Sequence, residues 1–515
     1  MMKSSQSALE VARGSSYLIG RNIANMAISV GAFAIIARLI SREEMGVVAV
    51  VVLISAAAQL VTGFGVGAAA TKFVASFDKM KEREKMRQAG YSCLTVTALV
   101  TVIVVVVTYF SADTLASFMF GDGSRANLLR LLTLEIAAMS VNSPLASILI
   151  GLKRFKEISL VSVVTFVIRQ GLVVGFLELG LGLPGLVLGY GLGDSLSSLV
   201  LFAYTWKYLG PPTLGSGFRN LLRFSAPLYL GDAAGFAWTW FDRALLIPLV
   251  TLSQLGAYNV AVTAFGLLSA MPGAISGTLF PYYSHFYPDT NAKPQTEDLE
   301  NAIRRASRYV SFFTIPLSIG LAATALPATA LLAGSSYADA TYPLVILSVS
   351  LAAGSLVSAL SQVFVVLGKT RTSAGVTIAS VAISLLVGMG TVPYLGIMGA
   401  SVARGVSLLA TLGLSIIFLR RILRLRFDMK AYYSVWLASL PMALAVLIIQ
   451  QFFYSKYLLP LYVVAGGLVF FLALRPLHAI DQEDLTLLSD FFGPRLAFLV
   501  EWMRRLLNVE TNITR

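Results

Sequence analysis

Several charged residues interrupt long apolar runs of this sequence, and they are the residues with chemistry to explain. Arg21 and Arg38 stand near opposite ends of the first run, with Asn22, Asn25 and Ser29 along one side. Lys72 ends the second run, Glu135 lies in the fourth, Arg169 in the fifth and Asp194 in the sixth. Asp232, Asp242 and Arg243 share the seventh, and Arg404 lies in the twelfth. A charge at the centre of a bilayer costs roughly 2.5–3.5 kcal/mol on insertion scales, so such residues turn toward a bundle interior or a water-filled path. Arg21, Arg38, Lys72, Arg169, Arg243 and Arg404, together with Asn25, are candidates for binding an anionic substrate, because a guanidinium fork holds phosphate oxygens in pairs. Asp232, Asp242, Glu135 and Asp194 are candidates for taking up a proton or a sodium ion. Asp232 and Arg243 are about three turns apart, which puts them on one helix face about 16 Å apart with Thr239 between them. Cations outnumber carboxylates in this set, and that favours an anionic substrate over a cationic one. Simpler roles stand beside these. Arg38 and Lys72, near span ends, can snorkel to head groups; Asp242 and Arg243 can form a helix-end pair; Glu135 can make a buried bond between helices. Trp238, Trp240 and Tyr258 read as interface anchors or packing.

The elements that position these residues follow from composition. The 515 residues are 57% hydrophobic and only 13% charged, against about 25% charged in soluble domains, and the mean hydropathy is +0.78. A soluble chain of this length needs more polar surface than that, whereas lipid-facing residues can be as apolar as buried ones. With about 20 apolar residues per span, the runs predict an all-α polytopic membrane protein of about 14 helices. They fall near 17–39, 46–76, 89–110, 128–150, 159–177, 183–206, 224–250, 255–281, 309–333, 342–367, 372–392, 398–419, 432–451 and 458–474. The second is interrupted at Gly63-Phe64-Gly65-Val66-Gly67, and Met271-Pro272-Gly273 marks a matching break in the eighth.

Charge sets the expected orientation. Lys79–Lys85, Lys153–Lys156, Arg304-Arg305, Lys369, Arg371 and Arg420-Arg421 fall on one side, while Arg42, Arg125 and Lys456 fall on the other. The positive-inside rule therefore places both termini in the cytoplasm. This distribution accounts for the net charge of +13 without a nucleic-acid partner. Cys93 is the one cysteine, His285 and His478 form no ligand motif, and no cofactor, metal or phosphate-loop motif is present. The stretch Tyr282–Arg308 reads as a cytoplasmic linking helix, with Leu299, Ile303 and Ala306 at helical spacing, and offers too short a loop for a sugar-processing enzyme.

An internal repeat completes the organisation. Ser41-Arg42-Glu43-Glu44-Met45-Gly46 recurs 210 residues on as Thr251-Leu252-Ser253-Gln254-Leu255-Gly256. Leu181-Gly182-Leu183-Pro184-Gly185 recurs 214 residues on as Leu395-Gly396-Ile397-Met398-Gly399, and Gly191 as Gly405. The expected domains are a first lobe over 1–215 and a second over 216–430. Two extra helices follow over 431–474, then an amphipathic tail over 475–515 on the cytoplasmic leaflet. An even number of spans per copy gives both the same orientation, an arrangement that builds transporters with the path between the copies. The repeat glycines read as helix-packing contacts.

These features resemble the polysaccharide-transporter branch of the multidrug/oligosaccharidyl-lipid/polysaccharide exporter superfamily. The matching residues run from Arg13-Gly14-Ser15 through Ile40–Gly46 to Gly63–Gly67, then Gly151–Phe155, Trp240–Leu246, Leu255–Tyr258 and Phe280–Ser284. The resemblance implies a two-lobed, V-shaped fold with alternating access, and a flippase that carries polyprenyl-diphosphate-linked oligosaccharide from the cytoplasmic to the outer leaflet. It implies as partners the lipid-linked oligosaccharide, membrane lipids, a coupling H+ or Na+, and a glycan polymerase or transferase. Two other readings stand beside it: a multidrug or cation antiporter of the same superfamily, and a non-transporting membrane enzyme or assembly partner in glycan synthesis.

Overall fold

The computed structural model describes residues 2–213, 218–286 and 296–477, and among them every regular element is helical. The chain divides into two compact units, residues 1–259 and 260–515. The first contains α1 (Met2–Leu39), α2 (Arg42–Gly63), α3 (Val66–Lys79), α4 (Arg83–Phe110), α5 (Ala112–Phe120), α6 (Ala126–Gly151), α7 (Phe155–Glu178), α8 (Gly182–Leu209), α9 (Phe218–Leu246) and the first turns of α10 (Leu252–Phe286). The second holds the remainder of α10, then α11 (Thr296–Ala323), α12 (Ala325–Ala333), α13 (Thr341–Ala353), α14 (Val357–Val366), α15 (Thr370–Leu395), α16 (Ile397–Leu419), α17 (Met429–Phe452) and α18 (Leu459–Leu474).

Eleven of the described helices are long and apolar enough to cross a membrane, and the bent pairs α11–α12 and α13–α14 raise that number to thirteen. The remaining expected span is α9, whose sequence carries Arg219, Arg223, Asp232, Asp242 and Arg243. Its charges keep it below the apolarity of the others, and three of them are candidate site residues. α4 shows the pattern of a lipid-facing helix. On α4, Ser92, Thr97, Thr101 and Thr108 are buried, while Leu99, Val102, Ile103, Val106 and Phe110 are exposed. That apolar stripe at i, i+3, i+4 spacing is stable only against lipid. The protein is a multi-pass membrane protein.

The repeat is visible in the elements themselves. A long helix followed by a nine-residue one occurs as α4–α5 in the first unit and α11–α12 in the second. In the first unit α8 packs against α6 and α7, as in the second α16 packs against α13 and α15. Glycines permit the close approaches. A Cβ on Gly185 would lie 2.6 Å from Leu181 Cβ, and one on Gly399 2.7 Å from the Thr391 carbonyl. Gly191 and Gly405 also have neighbours within 3 Å of a Cβ, whereas among the described residues Gly63, Gly273 and Gly277 meet nothing within 4 Å. Gly189 would place a Cβ 2.8 Å from the Val173 backbone nitrogen. Gly189→Val is therefore expected to lower stability by about 1–3 kcal/mol, read as an earlier thermal unfolding midpoint in detergent; an unchanged midpoint would refute the α7–α8 approach.

Two expectations need correction. The second span does break, at Phe64 (φ 35°) and Gly65 (φ 67°), but α10 runs unbroken through Pro272. At the 210-residue offset Phe64 and Gly65 answer to Ala274 and Ile275. A β-branched residue resists the left-handed backbone that the break requires, so the helix continues despite the proline. The linking segment is likewise no separate helix. Residues 296–308 form the start of α11, with Leu299, Ile303 and Ala306 buried. The amphipathic tail and His478 lie outside the described residues.

Candidate functional site

The first unit contains a cavity of about 260 Å³ walled by five helices. α1 contributes Arg21, α2 Gln59, α6 Asn142 and Ser143, α7 Ser162, and α8 Asp194 and Ser197. A second cavity of about 380 Å³ shares Gln59 and Ser143 with it and extends to Asp232, Phe236 and Trp240 on α9. The two therefore adjoin across a polar wall. The α2–α3 break borders the second cavity. Phe64 rests 4.9 Å from the Tyr229 ring, and a Cβ on Gly65 would lie 2.6 Å from the Ser225 carbonyl oxygen, so glycine is needed there for both φ and space.

Arg21 is half-buried in the cavity wall, and its guanidinium donates to Asn22 Oδ1 at 3.2 Å. Among the described residues no carboxylate lies within 4.0 Å of it. One turn on, Asn25 Nδ2 donates to Ser162 Oγ at 3.1 Å. Arg169 is placed differently. Its Nη2 lies 3.3 Å from Glu135 Oε1 and its Nε 3.4 Å from Asp194 Oδ2. The guanidinium sits 4.2 Å from the Tyr190 ring centroid, and Ser55 donates to Glu135 Oε2 at 3.2 Å. Gly193 admits this arrangement, since a Cβ there would come within 2.4 Å of Arg169 Cβ. α6, α7 and α8 thus join one cation to two carboxylates, a cluster with net charge −1 when all three are ionised.

The other candidates are dispersed. Asp242 is fully buried; it accepts from the Arg243 backbone N–H at 2.8 Å and from the Tyr258 hydroxyl at 2.6 Å. Arg243 is buried 4.5 Å from the Trp240 ring centroid. Asp232 is exposed to the second cavity. Lys72 is exposed, its Nζ 4.0 Å from the Phe224 ring centroid. Arg38, exposed in the last turn of α1, donates to the Ala34 carbonyl. Arg404 lies half-buried on α16 in the second unit. Sequence reasoning missed Gln59, Asn142, Ser143, Ser162 and Ser197. As single uncharged polar residues in apolar runs they carry a weak signal, though Asn142-Ser143 before Pro144 is a polar pair in mid-span. Tyr190 was missed for a similar reason, being one aromatic among many. Among the described residues no group of His, Cys, Asp and Glu could hold a metal ion.

A family of sequences described as "Polysaccharide biosynthesis protein" matches residues 35–342. A probable low-salt glycan biosynthesis flippase of Haloferax volcanii is 23% identical over 440 residues, covering 84% of this chain and 89% of that protein. A succinoglycan biosynthesis transport protein of Rhizobium meliloti is 24% identical over 326 residues, 61% of each chain. Among solved structures, a lipid II flippase in an inward closed conformation superposes with a TM-score of 0.67 at 14% identity, over 88% of this chain and 98% of that one. An inward-facing multidrug resistance transporter does so with a TM-score of 0.62 at 16% identity, over 77% and 94%. At these identities the superpositions establish a shared fold.

Proposed function

The chain belongs to the polysaccharide biosynthesis protein family, and from that premise we propose that it is a flippase for polyprenyl-diphosphate-linked oligosaccharide. It moves this lipid from the cytoplasmic to the outer leaflet by alternating access, with both its termini in the cytoplasm. The observation that carries the reading is Arg21, a cation with no carboxylate partner among the described residues, in the wall of a cavity lined by polar side chains. Unaided, a diphosphate cannot cross hydrocarbon, and the carrier must offer it cations and hydrogen-bond donors on the way. Asn25, Asn142, Ser162 and Ser197 supply polar groups around Arg21. Arg243, Lys72, Arg38 and Arg404 are further cations for the path. Arg169 belongs instead with Glu135 and Asp194, a cluster suited to take up a coupling proton because one proton neutralises it. Asp232 and Asp242 serve the same coupling from α9. The glycan and membrane lipids are the partners, with a polymerase or transferase receiving the product.

The test uses purified protein in liposomes carrying a fluorescent polyprenyl-diphosphate oligosaccharide, with the outer leaflet probed by a quencher. Protein-dependent exchange is expected. Arg21→Ala is expected to slow it by about 10- to 100-fold, the loss of one charge-assisted contact of about 1.5–3 kcal/mol. Absence of exchange by the wild type, with gradient-driven ethidium efflux from the same vesicles, would overturn the flippase reading in favour of a cation antiporter.

A further inference from the structure

At the end of the first unit that carries the Lys79–Lys85 and Lys153–Lys156 clusters, the termini of α3, α4, α6, α7 and α8 surround a cavity of about 610 Å³. Lys81, Arg83, Arg154 and Lys207 line it against the single carboxylate of Asp78. It shares no lining residue with the Arg21 cavity. Among the described residues Lys81, Arg83 and Lys207 have no carboxylate within 4.0 Å. Arg154 is held at the wall by Glu157 at 3.8 Å and by the Tyr208 ring centroid at 4.2 Å, and the Tyr208 hydroxyl donates to Glu157 at 3.1 Å.

Two features of this cavity run against local preference. Arg83 is the first residue of α4, and Arg154 is the N-cap of α7. A helix N-terminus carries partial positive charge and disfavours cations, so serving the helix dipole does not explain either arginine. The second feature is backbone strain. Lys81 and Lys153 have φ of 59° and 57°. Each sits in a helix terminus closed by the same three bonds, for example Leu152 N–H to Ile148, Lys153 N–H to Ile150 and Arg154 N–H to Leu149. The equivalent turn of the second unit, Leu367-Gly368-Lys369, makes the same three bonds with glycine at the left-handed position, φ 66°. Glycine adopts that conformation at no steric cost. At this cavity lysine stands there instead, in the wall as Lys81 and beside the wall as Lys153.

We propose that this cavity is a binding site for lipid-borne phosphate, with Arg83, Arg154, Lys81 and Lys207 surrounding its oxygens. An anion there satisfies the cations at the two helix N-termini and accounts for lysine at a glycine position. The site shares no lining residue with the Arg21 cavity, and the proposal does not rest on the flippase reading. Phosphate of this kind has two sources at a membrane face, the head group of an anionic phospholipid and the diphosphate of a polyprenyl lipid.

The full chain, purified in neutral detergent, is titrated with phosphatidylglycerol, phosphatidylcholine and a polyprenyl diphosphate, and bound lipid is counted by native mass spectrometry. Binding of a phosphate lipid with net negative charge is expected to be at least tenfold tighter than that of phosphatidylcholine and to weaken with salt. Each cation removed costs about fivefold, so Arg83→Gln/Arg154→Gln loses about 25-fold, while Arg304→Gln/Arg305→Gln, outside the cavity, binds as the wild type does. Lys81→Gly guards against misfolding: it relieves the strained backbone, so thermal stability is expected to rise while affinity falls. Tight binding of the polyprenyl diphosphate alone supports the site with the isoprenoid lipid as its source. Equal binding of phosphatidylglycerol supports it with bulk lipid as the source. Phosphatidylcholine binding as tightly as either, or full affinity in Arg83→Gln/Arg154→Gln, overturns it.

Discussion

Arg169→Ala is expected to destabilise the protein by about 3–5 kcal/mol, the cost of stranding buried carboxylates by removing their shared partner. Glu135 and Asp194 have side chains 4% and 15% exposed, and both address the same guanidinium. Ser55 supplies Glu135 with one further hydrogen bond, which does not replace a cation. Without Arg169 the two acids must be protonated or repel each other between α6, α7 and α8. Arg169→Lys retains the charge and loses the fork that reaches both carboxylates, so its loss falls between wild type and alanine. Neutralising the whole cluster, as Glu135→Gln/Arg169→Ala/Asp194→Asn, is expected to restore most of the stability, because a buried ion cluster removed entire leaves no orphaned charge. Thermal unfolding in detergent measures all three. Transport by the neutral triple variant then separates structure from coupling. If the cluster takes up the driving proton, the variant folds but no longer responds to an imposed pH gradient. A folded variant with gradient-driven transport intact would sink the coupling role.

A one-dimensional pattern encodes span lengths and local breaks, but not the rotation of one helix against another. Span lengths are legible because a bilayer demands a run of fixed length, and each expected span corresponds to described helix. The α2–α3 break is legible because Gly65 can adopt a positive φ, whereas Pro272 marks a break in α10 that Ile275, at the position of Gly65, opposes. The charged residues were legible as a set. Their division was not: whether Arg169 faces a substrate or two carboxylates depends on the rotations of three helices, which no single run records. The repeat helps in retrospect. Gly191 packs on Leu134 and Glu135, and Gly405, 214 residues on, packs on Ser350. The packing is shared between the units, but the acid stands in the first alone.

Gly46→Leu and Gly256→Leu are expected to disable the protein by disrupting one helix crossing, each costing about 3 kcal/mol. A Cβ on Gly46 would lie 1.9 Å from the Leu252 carbonyl oxygen, and a Cβ on Gly256 2.2 Å from that of Arg42. Ordinary C–H···O contacts between helices are at about 3.3–3.6 Å, so the backbones must part by more than an ångström, with no side chain free to swing aside. The residues are partners by the repeat as well as by contact. Gly46 answers Gly256 and Arg42 answers Leu252 at the same 210-residue offset, so the two copies of the motif pack on each other reciprocally. Each copy also opens its helix with a capping box, Ser41 with Glu44 in α2 and Thr251 with Gln254 in α10, which fixes both entry points. Even alanine is too large here. Gly46→Ala and Gly256→Ala are expected to cost about 1–3 kcal/mol each. The double variant should cost clearly less than their sum, because a crossing already widened by one methyl admits the other. A double-mutant cycle on unfolding midpoints measures this coupling. Strict additivity would mean that the two glycines sit in independent contacts, and the reciprocal crossing of α2 and α10 would have to be abandoned.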